Sequence, residues 1–473
     1  MQETSTRKSV FRTLFCAPQT VFESVAYWLL AVMIWAPIIQ SPAYVPYILS
    51  GSDRVMYYVA YAIGYSFYAM AVLCILYSVW RVISWALALR RGELRLPAPG
   101  ALLREHLFAV LTCVFVLLAF VSTIFSTDIV TGFFGHKQRT DGFLTYAGFC
   151  AIMLTASQVR SAKKRASLLK NTVIVIALCA LLMFCQVFSL QPVSRWFNMT
   201  GAAFFRNSNH FGYILAICAM ICSGAMFAAK EKKTRIRATA LLVFFLTALL
   251  YNNTLGANLG VACAFILMGF LYKPALGTGR LRSFLPLAIY ALVAALTALI
   301  PEGRFACSFV EENIASTLAD LRNIANGEIS GSVESTQGTS RLLLWKFTLQ
   351  LIAQKPLLGW GGDQTRWEFI RNGFDWAASP HNEYLNLASF FGIPAALCLY
   401  AGEIWLLARR LRGVRTLGRT TLIALGAAFA YAVSAFFGVS QLHSASYFYL
   451  MMGLVASEET AAVTPEETQQ PSD

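Results

Sequence analysis

Charge is what this sequence has least of. Asp, Glu, Lys and Arg together make up 13% of its 473 residues, about half the share of a soluble globular domain. A chain so poor in charge cannot cover a water-facing surface of that length, and a mean hydropathy of +0.58 agrees. Histidine is scarce too, with five residues far apart in sequence, and neither CxxC nor HExxH spacing occurs. That leaves no local metal-ligand pattern. Eleven cysteines are present, but nearly all lie inside apolar stretches, and Cys307 alone falls in the one long polar segment. No disulfide framework is available there. Internal repeats are also absent, which argues against a transporter assembled from paired halves.

What the chain has instead is apolar length. Blocks at 21–39, 106–125, 171–190, 209–229 and 284–300 reach the roughly 18 or more residues needed to cross lipid. Only helices or closed barrels satisfy their backbone there. The first block follows a polar segment and leads into further spans, so it does not read as a cleaved signal. The reading is all-α: a polytopic helical bundle with about twelve crossings, near 21–39, 55–80, 106–125, 142–158, 171–190, 209–229, 238–251, 255–271, 284–300, 383–408, 420–437 and 445–456. Residues 1–20 form a short N-terminal segment and 21–456 the membrane domain. The tail 457–473 has no basic residue, is rich in Glu, Thr, Pro and Gln, and reads as disordered.

The net charge of +14 suggests nucleic acid until its placement is considered. Lys and Arg collect in short loops at 90–104, 158–170, 230–237, 272–282 and 409–419. With Arg7, Lys8 and Arg12 these segments hold 25 of the 38 basic residues. Basic-poor connections alternate with them. By the positive-inside rule the basic loops and both termini are cytoplasmic, and the long segment 302–381 is extracytoplasmic. Charge dispersed over membrane loops does not read as a nucleic-acid face.

With that topology, His136, His210, His381 and His443 all fall on the outer side, leaving His106 inside. The same side receives Lys137, Arg139, Arg206 and Arg341. Ionisable residues gathered on one face of a charge-poor membrane protein mark a site. The stretch "SPHNEYLNLASFFGIPAALCLY" (379–400) carries three polar residues, His381, Asn382 and Glu383, at the threshold of the tenth span. Ser379 reads as the N-cap and Pro380 as the first helical residue, placing His381 in the first turn. There the helix dipole disfavours an imidazolium, while Glu383 pulls the other way. A neutral imidazole beside arginines suits transfer to a hydroxyl, with the ring taking a proton while cations hold a departing phosphate. Asn382 and Glu383 would orient the ring or meet sugar hydroxyls, or, for Asn382, cap the helix. Upstream, "TSRLLLWKFTLQLIAQKPLLGWGG" (339–362) reads as a helix capped by Thr339 or Ser340 and stopped by Pro356.

"SRLLLWKFTLQLIAQKPLLGWGGD" followed by "HNEYLNLASFFGIPAALCLY" resembles the motif region of the O-antigen ligase family of bacterial membrane glycosyltransferases. "GHKQRTDGFLTYAGF", "FFRNSNHFGYIL" and "AYAVSAFFGVSQLHSASYFYLMMGL" are similar to other family segments, so the likeness runs over roughly 125–455. It implies a GT-C-like bundle of about a dozen helices in the bacterial cytoplasmic (inner) membrane. The implied donor is an undecaprenyl diphosphate-linked glycan, transferred at the outer face to a hydroxyl of a lipid or cell-wall acceptor without a nucleotide sugar or an obligatory metal. His381 matches the family histidine and Arg341 the arginine of the Ser-Arg-Leu segment. One departure stands out: where members carry Ser-Arg-Gly-Ala between spans seven and eight, this chain has "NNTLGANLG" (252–260), with Leu255 in the arginine's place. Either Arg139 or Arg206 supplies the second cation, or activity has been lost or changed. Lys137 and His210 complete the candidate substrate-binding set. A polymerase of lipid-linked repeat units and a non-enzymatic transporter of lipid-linked glycan remain the competing readings.

Overall fold

The computed structural model describes residues 18–41, 53–93, 98–136, 139–188, 202–205, 207–300, 341–374 and 377–457, with isolated positions between 315 and 325. Among the described residues every regular element is helical. In chain order these are α1 (Gln19–Ile39), α2 (Asp53–Arg90), α3 (Pro99–Ile124), α4 (Ile129–Phe134), α5 (Phe143–Ser157), α6 (Ala162–Val187), α7 (Ser208–Ala228) and α8 (Lys232–Asn252). They continue with α9 (Leu255–Leu276), α10 (Leu285–Ala298), α11 (Arg341–Gln354), α12 (Thr365–Arg371), α13 (Glu383–Phe391), α14 (Ile393–Arg412), α15 (Arg419–Ser434) and α16 (Leu442–Ala456).

Eight of these helices are long and apolar enough to cross a membrane, and the chain is a polytopic helical membrane protein. Helices α5, α10 and α16 are apolar but shorter, at 15, 14 and 15 residues. The continuous tenth span expected at 383–408 is broken. Gly392 adopts φ +86°, and α13 ends before it while α14 restarts at Ile393 with Pro394 in its first turn. A break at membrane depth orphans backbone groups unless protein supplies partners. Here the turn after α11 supplies them. Trp360 N–H donates to Ser389 O at 3.0 Å, Gly361 N–H to Phe390 O at 2.8 Å, and Ile393 N–H to Pro356 O at 2.8 Å. The Gly359–Gly361 turn therefore serves as the cap of a half-helix.

Helix α7 lies at the centre of the bundle, packed against α8, α9 and α15, while α16 packs on α5 and α15. Small residues let these backbones approach, as is usual in lipid, where apolar burial alone gives little drive for association. Gly260 faces the Ala430 carbonyl and Gly453 the Met153 carbonyl, each so closely that no side chain fits between.

At the basic end of the bundle, Arg165 is fully buried. It donates to Thr420 Oγ1, Thr421 Oγ1 and Leu454 O, all at 2.7 Å, and to Ser457 Oγ. Arg410 reaches Val455 O at 2.8 Å and Ala456 O at 2.7 Å. Two guanidiniums thus satisfy the last carbonyls of α16, where cations also favour the helix dipole.

At the opposite end, α11 and α12 build a small cap. Leu344, Phe347, Leu351, Phe369 and Phe374 form its core, separate from the main one. Phe347 and Phe374 lie 5.1 Å apart, and Trp345 Nε1 donates to Pro380 O at 3.0 Å, fastening α11 to the segment before α13. Lys137, Arg206, Thr339, Ser340 and Cys307 lie outside the described residues, as do most of 1–20, 302–340 and 457–473. The nine cysteines among the described residues are unbridged.

Candidate active site

Four segments meet at the end of the bundle opposite the basic loops: 135–142, the start of α7, and the segments that precede α13 and α16. They enclose a cavity of about 220 Å³. Its wall is Arg139 from the first connection, Asn207, Asn209, His210 and Tyr213 from α7 and its cap, Ala378, Ser379 and His381 before α13, and Gly438, Val439 and Gln441 before α16. Drug-sized ligands fill roughly 300–1,000 Å³, so this cavity takes a headgroup fragment and leaves the remainder of a larger molecule outside.

The local structure departs from one sequence expectation. The helix does not start at Ser379–Pro380. Asn382 is the N-cap, its Oδ1 accepting the Leu385 N–H at 3.1 Å, and α13 begins at Glu383. His381 therefore sits just outside the helix, at φ +50°, a left-handed conformation uncommon for non-glycine residues though less so for histidine. Burial first, then the Arg139 and Arg341 guanidiniums, push its imidazole down to about 4. Desolvation and cationic neighbours, rather than a first-turn dipole, hold the ring neutral.

Arg341 is the first residue of α11 and half-buried, close enough for its charge to act on both His381 and Tyr213. Arg139 lines the cavity itself. Its Nε and Nη2 donate to Asp141 Oδ2 at 3.2 and 2.9 Å, while Nη1 donates to nothing among the described residues. The structure thus brings together Arg139, His210, Arg341 and His381. Asn382 and Glu383 stand behind the wall. Both are buried, the first as a cap, the second with Oε2 accepting the Ser440 N–H at 2.6 Å. That bond ties the α15–α16 connection, which supplies Gly438, Val439 and Gln441, to the start of α13.

His210 is held by α7, whose cap Asn207 accepts the Asn209 N–H at 2.8 Å. Its Nδ1 lies 3.2 Å from Ser444 Oγ, and its ring is 5.4 Å from that of His443. His136 lies farther out, its Nδ1 3.2 Å from Arg366. Leu255, the first residue of α9, adjoins the cavity wall, because Thr254 Oγ1 beside it is 3.4 Å from Asn209 Oδ1. The position where the family arginine would stand is therefore next to the cavity, and Arg139 enters the same cavity from α5's side.

Sequence reasoning missed Tyr213, Asn209, Asp141 and Asp363. The two asparagines of "NSNH" were legible as an α7 cap; Asn207 is the cap, and both line the cavity. The aspartates follow glycine or threonine in loops and read as turn residues. Among the described residues no three His, Cys, Asp or Glu side chains gather as metal ligands.

Residues 240–400 match the family model described as O-Antigen ligase. No curated protein matched the chain. The matched segment runs from α8 through the first residues of α14, including Leu255, Arg341, Asp363 and His381. Arg139 and His210 come from outside it. Over 240–400 the chain is therefore similar to the O-antigen ligase family.

Proposed function

From this cavity and the likeness of 240–400 to the O-antigen ligase family, we propose transfer of a glycan from undecaprenyl diphosphate to an acceptor hydroxyl at the outer face of the membrane. The observation that carries the reading is the neutral His381 imidazole flanked by two guanidiniums in a cavity of headgroup size. A base unprotonated at neutral pH and cations for a leaving anion are the two requirements of this reaction. The acceptor oxygen bonds to the anomeric carbon as His381 takes the hydroxyl proton. The bond from that carbon to the phosphate oxygen breaks, and its electrons leave on the diphosphate, held by Arg139 and Arg341. The proton then passes from the imidazole to the diphosphate or to water. Donor binding assists the base, because a diphosphate offsets the guanidiniums that hold the ring's affinity for protons down.

Arg139 takes the part of the arginine missing at Leu255, with Arg206 and Lys137 as further candidate contacts to the donor and His210 meeting donor or acceptor hydroxyls. Asn382 and Glu383 act from behind, fixing His381 and the α15–α16 connection. The bundle is read as a GT-C-like arrangement of twelve crossings in a bacterial inner membrane, oriented by the basic ends of its helices. Both termini are then cytoplasmic and 302–381 outside. The broken α13–α14 pair makes one of these crossings, with its half-helix opening on the site.

The surface glycan profile of a deletion strain tests the reading. Unlinked, lipid-bound polymer accumulates if the chain is a ligase, and single repeat units appear if it polymerises them. An unchanged profile and unchanged lipid-linked pools refute transfer of either kind.

A further inference from the structure

Arg139 stands between two buried carboxylates. Asp141 and Asp363 are 0% and 1% exposed. Asp141 Oδ2 accepts both donors of the guanidinium edge, and Asp363 Oδ1 lies 3.9 Å from Arg139 Nε. Asp363 Oδ2 accepts the His136 N–H at 2.8 Å. The other oxygens, Asp141 Oδ1 and Asp363 Oδ1, have no hydrogen-bond partner among the described residues. A buried acceptor left without a donor is costly, and two beside one guanidinium are more so. The backbone is constrained here too: Thr140 and Asp363 have φ +56°, conformations that persist where the surroundings over-determine them.

One guanidinium and two ionised carboxylates give a net −1 at and behind Arg139, in the wall of a cavity read as taking an anion. A single proton on the carboxylates makes the cluster neutral and gives one orphaned oxygen a hydroxyl. We propose that Asp141 and Asp363 are positioning residues that share one proton and hold Arg139 toward the donor diphosphate, which binds more weakly once that proton is lost. The proposal rests on the diphosphate reading of the cavity given above.

Burial pushes both carboxyls up from the ordinary carboxylate range, against the pull of Arg139. The charged and titratable groups facing the pair are Arg139, His136 and Arg366 around Asp363, and Arg139, Tyr146 and Glu383 around Asp141. His381 lines the same cavity as Arg139 and feels the charge of both Arg139 and Arg341. None of the cations duplicates Arg139 between the two carboxylates. The sign follows: raising pH removes the shared proton, the cluster goes from neutral to −1, and anion affinity falls.

The test is binding of inorganic diphosphate to the purified full-length protein in detergent, followed by calorimetry from pH 6 to 9, for wild type, Asp363→Asn and Asp141→Asn. Because the probe titrates in all three, the comparison is between their pH slopes. We expect affinity for the two variants to exceed that of wild type by on the order of tenfold at pH 9, with the gap closing toward pH 6. Two variants guard against one failing to fold. Parallel lines for wild type and variants overturn the shared proton and leave the diphosphate reading standing. Weaker binding by both variants at every pH makes the aspartates mere structural anchors and also overturns it. No binding to wild type at any pH sinks the proposal and the diphosphate reading together.

Discussion

Gly438→Ala is a one-carbon change at the cavity wall whose effect the geometry specifies. Gly438 has φ −158°, so alanine meets no backbone strain. The obstacle is Tyr213: an added Cβ would overlap its hydroxyl and stand 2.7 and 2.9 Å from two ring carbons. Comfortable contact is about 3.5–4.0 Å, so the ring or the connection must move by roughly 1 Å. Tyr213 has little room. It is 1% exposed, its ring packs 5.8 Å from Tyr431 and 6.0 Å from His210, and its hydroxyl donates to Phe437 O at 3.3 Å. Overpacking of this kind typically costs about 1–3 kcal/mol. A displacement of about 1 Å at a catalytic constellation can lower the rate by roughly a hundredfold. The assay is glycan transfer by purified protein beside its thermal midpoint in detergent. The prediction is a lower midpoint with kcat reduced more than the midpoint loss explains. Wild-type transfer with an unchanged midpoint would refute the placement of Tyr213 and Gly438 in the wall.

Three further outcomes follow from the same geometry. Arg341→Lys keeps the charge but loses the planar pair of donors, so it retains partial transfer activity while Arg341→Ala falls much lower; equal, near-normal rates of both would remove Arg341 from the site. Because the His381 imidazole is pushed down to about 4, it remains a base above that pH. Its limb in kcat/KM is then a fall as pH drops through about 4, and a limb near 6.5 that disappears in His381→Ala would show the ring to be more exposed than described. Arg235→Cys should resist a membrane-impermeant thiol reagent in intact cells from which the native cysteines have been replaced, and Ser330→Cys should react; the opposite pattern inverts the bundle.

Much of this was legible in the sequence, and the parts that were not have identifiable physical reasons. Apolar length and the alternation of basic loops pointed to the helices and their common end, because lipid leaves few alternatives for either. Four histidines assigned to one face do lie at one end of the bundle, two of them in a single cavity. The break of the tenth span was harder to see. "FFGIPAAL" contains both the glycine that takes φ +86° and the proline that restarts α14, but an apolar run hides a break whose cost is met by backbone from 356–361, some thirty residues earlier. The cap was misplaced for a similar reason. Ser379–Pro380 is a sound local start signal, yet Trp345 binds the Pro380 carbonyl, and the tertiary contact moves the start to Glu383. Asp141 and Asp363 were missed because their burial beside Arg139 joins segments more than two hundred residues apart. No local pattern records that.

The most direct measurement is transfer of glycan from the lipid-linked donor by purified His381→Ala protein, set beside wild type at equal amounts of folded protein. The variant is expected to accumulate normally in the membrane while its rate falls by roughly a hundred- to ten-thousand-fold, the usual loss of a general base. Transfer at the wild-type rate would make His381 a structural residue at a membrane threshold and contradict the catalytic assignment.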